Sequence, residues 1–177
     1  SRADAKRLLD SGADSLAINT AAIRTPELID DLAGYYGSQA ITVSIEAKRV
    51  GGGWECYTDN GRERTGKDAV SWARESVERG AGQILVTSID QEGTRKGFDV
   101  ALLRAVKDLP VPVIICGGMG CLGHLNSVKD FANGIAMASC LHYGKVTIRE
   151  MRRALGQDSV EERTSFAGRG VASLKPS

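Results

Sequence analysis

The sequence predicts an α/β protein, a partial (β/α)8 TIM barrel of five parallel strands with outer helices. Three observations carry that expectation. Short apolar runs rich in β-branched residues alternate with helical stripes in the order α-βα-βα-βα-βα-βα, and the connections are short enough for parallel neighbours in one sheet. The segment Gly12–Thr20 is echoed by Gly80–Ser88, each with a Gly-Ala start, a three-residue apolar strand and a hydroxyl at the strand's end. These copies lie two βα units apart, which suits a duplicated barrel better than a doubly wound sheet. Finally, the chain has 177 residues, whereas a complete barrel takes roughly 250. The expectation is therefore a barrel without its first strands: a fragment, a truncated gene product, or a half that associates with another copy. An open arc of this kind leaves parallel edges exposed.

Each element has its own signal. Ala3, Ala5, Leu8 and Leu9 make a short helical stripe that stops at Ser11-Gly12. Leu16–Ile18 follows as a strand ending in Asn19-Thr20. Pro26 opens a helix with Leu28, Ile29, Leu32 and Tyr36 on one face, closed by Gly37. Ala40–Lys48 is the organising strand, with Ile41, Val43 and Ile45 apolar as in a doubly buried parallel strand. An excursion comes next, Gly51–Gly61, in which Trp54–Thr58 alternates and Asn60-Gly61 signals a hairpin. A helix from about Asp68 shows Val70, Ala73 and Val77 on one face and ends at Gly80. Ile84–Val86 is a strand, Ser88–Gly97 a polar loop, and Asp99 an N-cap for a helix showing Leu102, Leu103 and Val106. Pro110 and Pro112 bracket the turn into the strand Val113–Cys116. A helix around Leu122–Phe131, a strand Ile135–Ala138 and a helix Thr147–Leu155 complete a barrel region of residues 1–155. The polar tail 156–177 is expected to fray.

Bulk properties narrow the function classes. With 23 Lys and Arg against 22 Asp and Glu the net charge is +1, so no global field argues for nucleic acid or a membrane surface. No apolar run is long enough to span a bilayer, and the first residues are no signal peptide. The four cysteines lack CxxC spacing, and Cys116 and Cys140 fall in apolar strand-like runs. Buried thiols in a reducing cytoplasm are expected rather than disulfides or a metal site. His124 and His142 are isolated, and Trp54, Trp72 and the tyrosines read as packing residues. No cofactor is called for.

The chemistry is expected where strands end. Open α/β sheets and barrels put their sites at the carboxyl ends of strands, which is where Glu46 and Lys48 emerge. Those two could equally be solvated or paired with each other. Asn19-Thr20 offers an amide and a hydroxyl, Glu92-Gly93 a flexible backbone, Gly117-Gly118 bare N–H groups, and Ala138-Ser139 an N–H plus a hydroxyl. Such groups hold phosphates in barrels. Gly-Gly after a strand is also commonly just a tight turn. Four pairs at regular strand ends, from both halves of the sheet, suit a long substrate with a phosphate at each end. Asp90 reads as a solvated loop carboxylate.

Together, Ile18–Ala22, Pro26–Ile29, Tyr36–Gln39, Ala47–Arg49, Thr58 with Gly61, Thr65-Gly66, Gly80–Gly82, Thr87–Asp90, Gly93-Thr94 and Gly117-Gly118 resemble the cyclase subunit of imidazole glycerol phosphate synthase, a histidine-biosynthesis (β/α)8 barrel. The similarity runs from Ala3 to about Leu155 and corresponds to that family's strands four through eight. The resemblance implies a lyase-type cyclase. It would take ammonia from a partner glutaminase in a heterodimer, together with a bisphosphorylated ribulosyl-formimino aminoimidazole carboxamide ribonucleotide. Its products would be imidazole glycerol phosphate and aminoimidazole carboxamide ribonucleotide. Asn19 and Thr20 match positions for one phosphate. Gly93, Gly118, Ala138 and Ser139, with Glu92 at an aspartate position, match the other, and Thr87 and Gly117 lie in the same matched segments. General acid–base catalysis in that family uses two aspartates, on the first and fifth strands. The second aligns with Glu46, a departure that adds a methylene. Ser15 and Gln83 replace the usual Lys and Glu around the ammonia entrance, Cys116 replaces a serine, and the run from Phe131 to Ile135 is short. Two alternatives stay open: a paralogue acting on another sugar-derived substrate of a surface-polysaccharide pathway, or an inactive phosphate-binding barrel fragment.

Overall fold

Residues 1–157 are described by a computed structural model, and the pleat of its strands explains most of the architecture. Five strands run parallel: β1 (Leu16–Ile18), β2 (Ile41–Val50), β5 (Gln83–Ser88), β6 (Val113–Cys116) and β7 (Gly134–Ala136), side by side in the order β1-β2-β5-β6-β7. The hairpin strands β3 (Gly53–Thr58) and β4 (Glu63–Asp68) pair antiparallel with the far end of β2, beyond the reach of β1. The sheet does not close, so the fold is a partial (β/α)8 barrel.

Alternate side chains sort cleanly between two faces. Leu16, Ile41, Val43, Ile45, Ile84, Val86, Val113 and Ile115 point outward and are buried under the helices. Their inward neighbours, Ser44, Leu85, Ile114, Thr87 and Cys116, are only half-buried. Burying each outward Val or Ile contributes roughly 1.5–3 kcal/mol, so the helix-covered face holds the sheet together.

The helices are α1 (Arg2–Asp10), α2 (Thr20–Arg24), α3 (Glu27–Tyr36), α4 (Ala69–Glu78), α5 (Val100–Val106), α6 (Ser139–His142) and α7 (Ile148–Ala154). Capping explains several starts. Ser1 with Asp4 and Thr147 with Glu150 form capping boxes, and Asp68 and Asp99 accept from the Ser71 and Leu102 amides. The two repeat copies become β1 and β5, and both flank β2. Each is preceded by a left-handed glycine, Gly12 at φ 98° and Gly80 at φ 104°.

Several expectations need correction. The organising strand does not stop near Lys48 but runs to Val50, because β3 supplies it with a new partner. The helix expected over Leu122–Phe131 is a 3-10 segment, Leu122–Ser127. Gly123 and Asn126 weaken an α-helix there, and the buried pair Leu125 and Val128 has the i, i+3 spacing that a three-residue turn satisfies. The last strand is Gly134–Ala136 rather than Ile135–Ala138. α4 buries Ala73 as expected, but its most buried face also takes in Ala69, Trp72 and Ser76, with Val70 and Val77 only partly buried at its margin, since Trp72 is the larger apolar body. Cys140 is buried in a helix, not a strand. Tyr35 and Tyr143 are exposed, not packing residues. The tail expected to fray lies, from residue 158, outside the described residues. No helix of the described residues is long and apolar enough to cross a membrane.

Candidate active site

The register of the sheet draws the strand-end candidates into one row. Glu46 lies beside Thr87, Thr87 beside Cys116, and Cys116 beside Ala136. Residues in register on parallel strands share a face. Ile45 and Ala47 are fully buried on the helix side, so Glu46, Thr87, Cys116 and Ala136 all point to the inner face. The Thr87 hydroxyl and the Cys116 thiol are neighbours across the β5–β6 register. Burial pushes that thiol's pKa up, and the neighbouring Thr87 hydroxyl pulls against it.

At one end of the row the hairpin folds over Glu46. Its turn carries three left-handed residues, Asp59 (φ 51°), Asn60 (φ 56°) and Gly61 (φ 78°), as the Asn-Gly signal requires. The Gly61 N–H donates to Glu46 Oε2 at 2.7 Å. The two alternatives for Glu46, solvation or pairing with Lys48, are therefore replaced by a backbone contact. Lys48 instead places its ammonium 5.7 Å from the centre of the Tyr57 ring. Asn19 and Thr20 join the same cluster through the hairpin. Asn19 Nδ2 donates to the Tyr57 carbonyl at 3.4 Å, and the Asp59 N–H donates to Thr20 Oγ1 at 3.4 Å. Asn19 Oδ1 is buried without a protein donor.

Three residues outside the row, Arg49, Trp54 and Asp99, hold the hairpin stem. Trp54 Nε1 donates to Asp99 Oδ2 at 2.9 Å, and the Arg49 guanidinium stacks 4.5 Å from the Trp54 ring and 3.6 Å from Asp99 Oδ1. Asp90, expected to be a solvated carboxylate, is exposed but accepts the Arg49 N–H at 2.7 Å.

The other end of the row ends at a small, tight hollow of about 10 Å³ lined by Glu92, Gly93, Gly117, Gly118, Ala138 and Ser139, with Cys116 in its wall. All six of these predicted residues come together. Gly117 and Gly118 are left-handed, at φ 95° and 98°. A Cβ on Gly118 would collide with the Gly97 carbonyl, and one on Gly117 would lie 2.8 Å from the Ser88 carbonyl and 3.3 Å from Glu92 Oε2. The Gly97 N–H donates to the Gly118 carbonyl at 2.8 Å. Both readings of the Gly-Gly pair therefore apply: it makes a tight turn against loop 88–97, and it leaves backbone bare beside the hollow. Ser139 is the first residue of the four-residue α6, next to the exposed Ala138.

Sequence reasoning placed Asn19 and Thr20 apart from the Glu92–Ser139 group, and the structure does the same, with Thr87 between them. It missed the Gly61 amide and the Tyr57 carbonyl, because backbone groups carry no residue signature. It also missed the wall formed by Cys116, Met119 and Met137, although aligning strand ends would have put Cys116 in the row. Chemically, the arrangement offers the Glu46 carboxylate for proton transfer, hydroxyls at Thr20, Thr87 and Ser139, and the Gly117-Gly118 backbone beside the hollow that Glu92 also lines. Residues 1–147 match the family model described as "Histidine biosynthesis protein".

Proposed function

We propose a function from one premise: the chain belongs to the histidine biosynthesis protein family. On this reading it is a cyclase of the imidazole glycerol phosphate synthase type. It joins ammonia to a bisphosphorylated ribulosyl-formimino aminoimidazole carboxamide ribonucleotide and releases imidazole glycerol phosphate and aminoimidazole carboxamide ribonucleotide. Glu46 is the general acid–base that moves protons during ring closure. Asn19 and Thr20 take one phosphate. Glu92, Gly93, Gly117, Gly118, Ala138 and Ser139 surround the other, and the Thr87 hydroxyl faces the substrate between them. A glutaminase subunit is the proposed source of ammonia.

The observation that carries this reading is the register row with a polar cluster at each end. Neighbouring strands lie about 4.8 Å apart. From β1 to the β6–β7 hollow is three to four such steps, on the order of 14–19 Å along the arc. That length suits a substrate phosphorylated at both ends, with the carboxylate one strand in from the first phosphate.

Ammonia-dependent turnover of that substrate by the purified chain tests the proposal. Product formation is expected, with Glu46→Gln lowering kcat by about two orders of magnitude. Absence of imidazole glycerol phosphate, or a Glu46→Gln protein as active as wild type, would sink it. A paralogous substrate is favoured by one feature at the base of the inner face. There Gln83 Oε1 accepts from the Thr42 hydroxyl at 3.1 Å, an uncharged pair near an exposed Ser15. Failure to complement a histidine auxotroph, alongside in-vitro ammonia transfer to another phosphosugar, would select that reading.

A further inference from the structure

The hairpin after β2 is tied down at more points than an ordinary surface loop. Its stem is held by the Trp54–Asp99 hydrogen bond and by Arg49 stacked on Trp54. Its tip is held by the Asp59 N–H on Thr20 Oγ1 and the Tyr57 carbonyl on Asn19. The far side of the tip has little room, since a Cβ on Gly61 would lie 3.3 Å from Ile89 Cδ1. A backbone N–H fixed in this way has one open direction, and Glu46 Oε2 occupies it at 2.7 Å.

We infer that the Gly61 amide is the positioning group for Glu46, and that the hairpin tip and the long glutamate side chain form a matched pair. The inference rests on the proposed acid–base role of Glu46. A glutamate has one more rotatable bond than an aspartate, so a carboxylate at the end of it needs an external restraint. The Gly61 N–H supplies that restraint by binding one oxygen, which leaves Oε1 for proton transfer. An aspartate at position 46 is shorter by one carbon–carbon bond, about 1.5 Å. With the hairpin anchored, the 2.7 Å contact would stretch to about 4 Å, outside hydrogen-bonding range. Aspartate, although the chemically closest replacement, is therefore the wrong length for this hairpin.

Amide hydrogen exchange and steady-state kinetics on the full chain test the pairing. Glu46→Asp is expected to speed exchange at Gly61 at least about tenfold and to lower kcat by about 10–100-fold with KM little changed. The Arg62 amide, which donates to the Thr58 carbonyl at 3.0 Å, should keep its protection and so report an intact hairpin. Glu46→Gln retains an acceptor of the same length. It should preserve Gly61 protection while losing turnover, a split that a purely structural role does not produce. Unchanged Gly61 exchange in Glu46→Asp, or a Glu46→Asp enzyme at least as fast as wild type, overturns the inference. A wild-type chain without cyclase turnover would remove the proposed function, and the exchange measurement would still decide whether Gly61 holds Glu46.

Discussion

At the residue scale, two groups of side chains make opposite use of burial. Glu55 sits on β3 with little exposure, yet its carboxyl is held below the usual range. The Arg64 guanidinium lies 2.7 Å away and the Gly66 N–H donates at 2.9 Å. A carboxylate whose folded pKa is depressed adds stability above its unfolded value, and that stability is lost as pH falls through the folded value. Arg64→Ala is therefore expected to lower the melting temperature at pH 7. The gap to wild type should close as the pH drops below about 4, and thermal melts at both pH values check this. A gap that widened in acid would reverse the assignment. The cysteines show the converse effect. Burial pushes the Cys56 thiol up to about 12 and raises Cys116, while Cys121 lies exposed. Since the thiolate is the reactive form, iodoacetamide at pH 8 should label Cys121 first, Cys116 slowly, and Cys56 and Cys140 only after unfolding. Peptide mass spectrometry over a time course reads that order directly.

At the element scale, the hairpin is the unit on which the site depends, and Asp99 is its busiest support. One carboxylate caps α5 through the Leu102 N–H at 2.9 Å, accepts from Trp54 Nε1 and faces Arg49. Asp99→Ala removes a helix cap and a side-chain hydrogen bond together, an expected loss of about 2–3 kcal/mol. Trp54→Phe removes only the indole bond, for about 1 kcal/mol. Urea denaturation of the two variants checks the ranking, and an equal loss would mean that the cap contributes nothing. Much of this element was legible in the sequence. Asn60-Gly61 named the turn, and the position of Asp99 before Leu102 and Leu103 named the cap. What the sequence could not show was their union, because Trp54 and Asp99 are far apart along the chain and meet only once β2 and β5 are paired. The same holds for Glu46 and Gly61, where one partner is a main-chain amide. The misjudged helix after Gly120 has a different cause: its apolar residues fit a 3.6-residue period and a 3-residue turn about equally well, and only packing of Leu125 and Val128 decides.

At the scale of the whole molecule, the contrast between the two sheet faces governs behaviour in solution. The outward face is sealed by helices, whereas the inward face and the edges of the parallel strands β1 and β7 are open within the described residues. Each edge borders a groove, mainly apolar beside β1 and mixed beside β7, where Lys129, Asp130 and Arg152 join the lining. Beside β1 a groove of about 260 Å³ is lined by Leu8, Leu16, Ile18 and Leu28, and beside β7 one of about 570 Å³ by Ile135, Ile148, Met151 and Leu155. Leu8 is 53% exposed and Ile148 49%. Unpaired edge N–H and C=O groups beside apolar surface form a template for another strand. The net charge of +1 provides little repulsion to oppose that pairing. The chain is therefore expected to self-associate at concentrations on the order of 10–100 μM. Ala17, exposed on β1, is the position at which to interrupt it, since a charge pointing inward from an edge strand blocks pairing without touching the helix-covered core. Ala17→Lys should shift sedimentation velocity profiles towards monomer while the melting temperature holds. If both proteins sediment as monomers at the highest concentration, the edges are protected by something other than charge. If both associate equally, contact runs through the β7 groove, and Ile148→Lys becomes the variant that separates them.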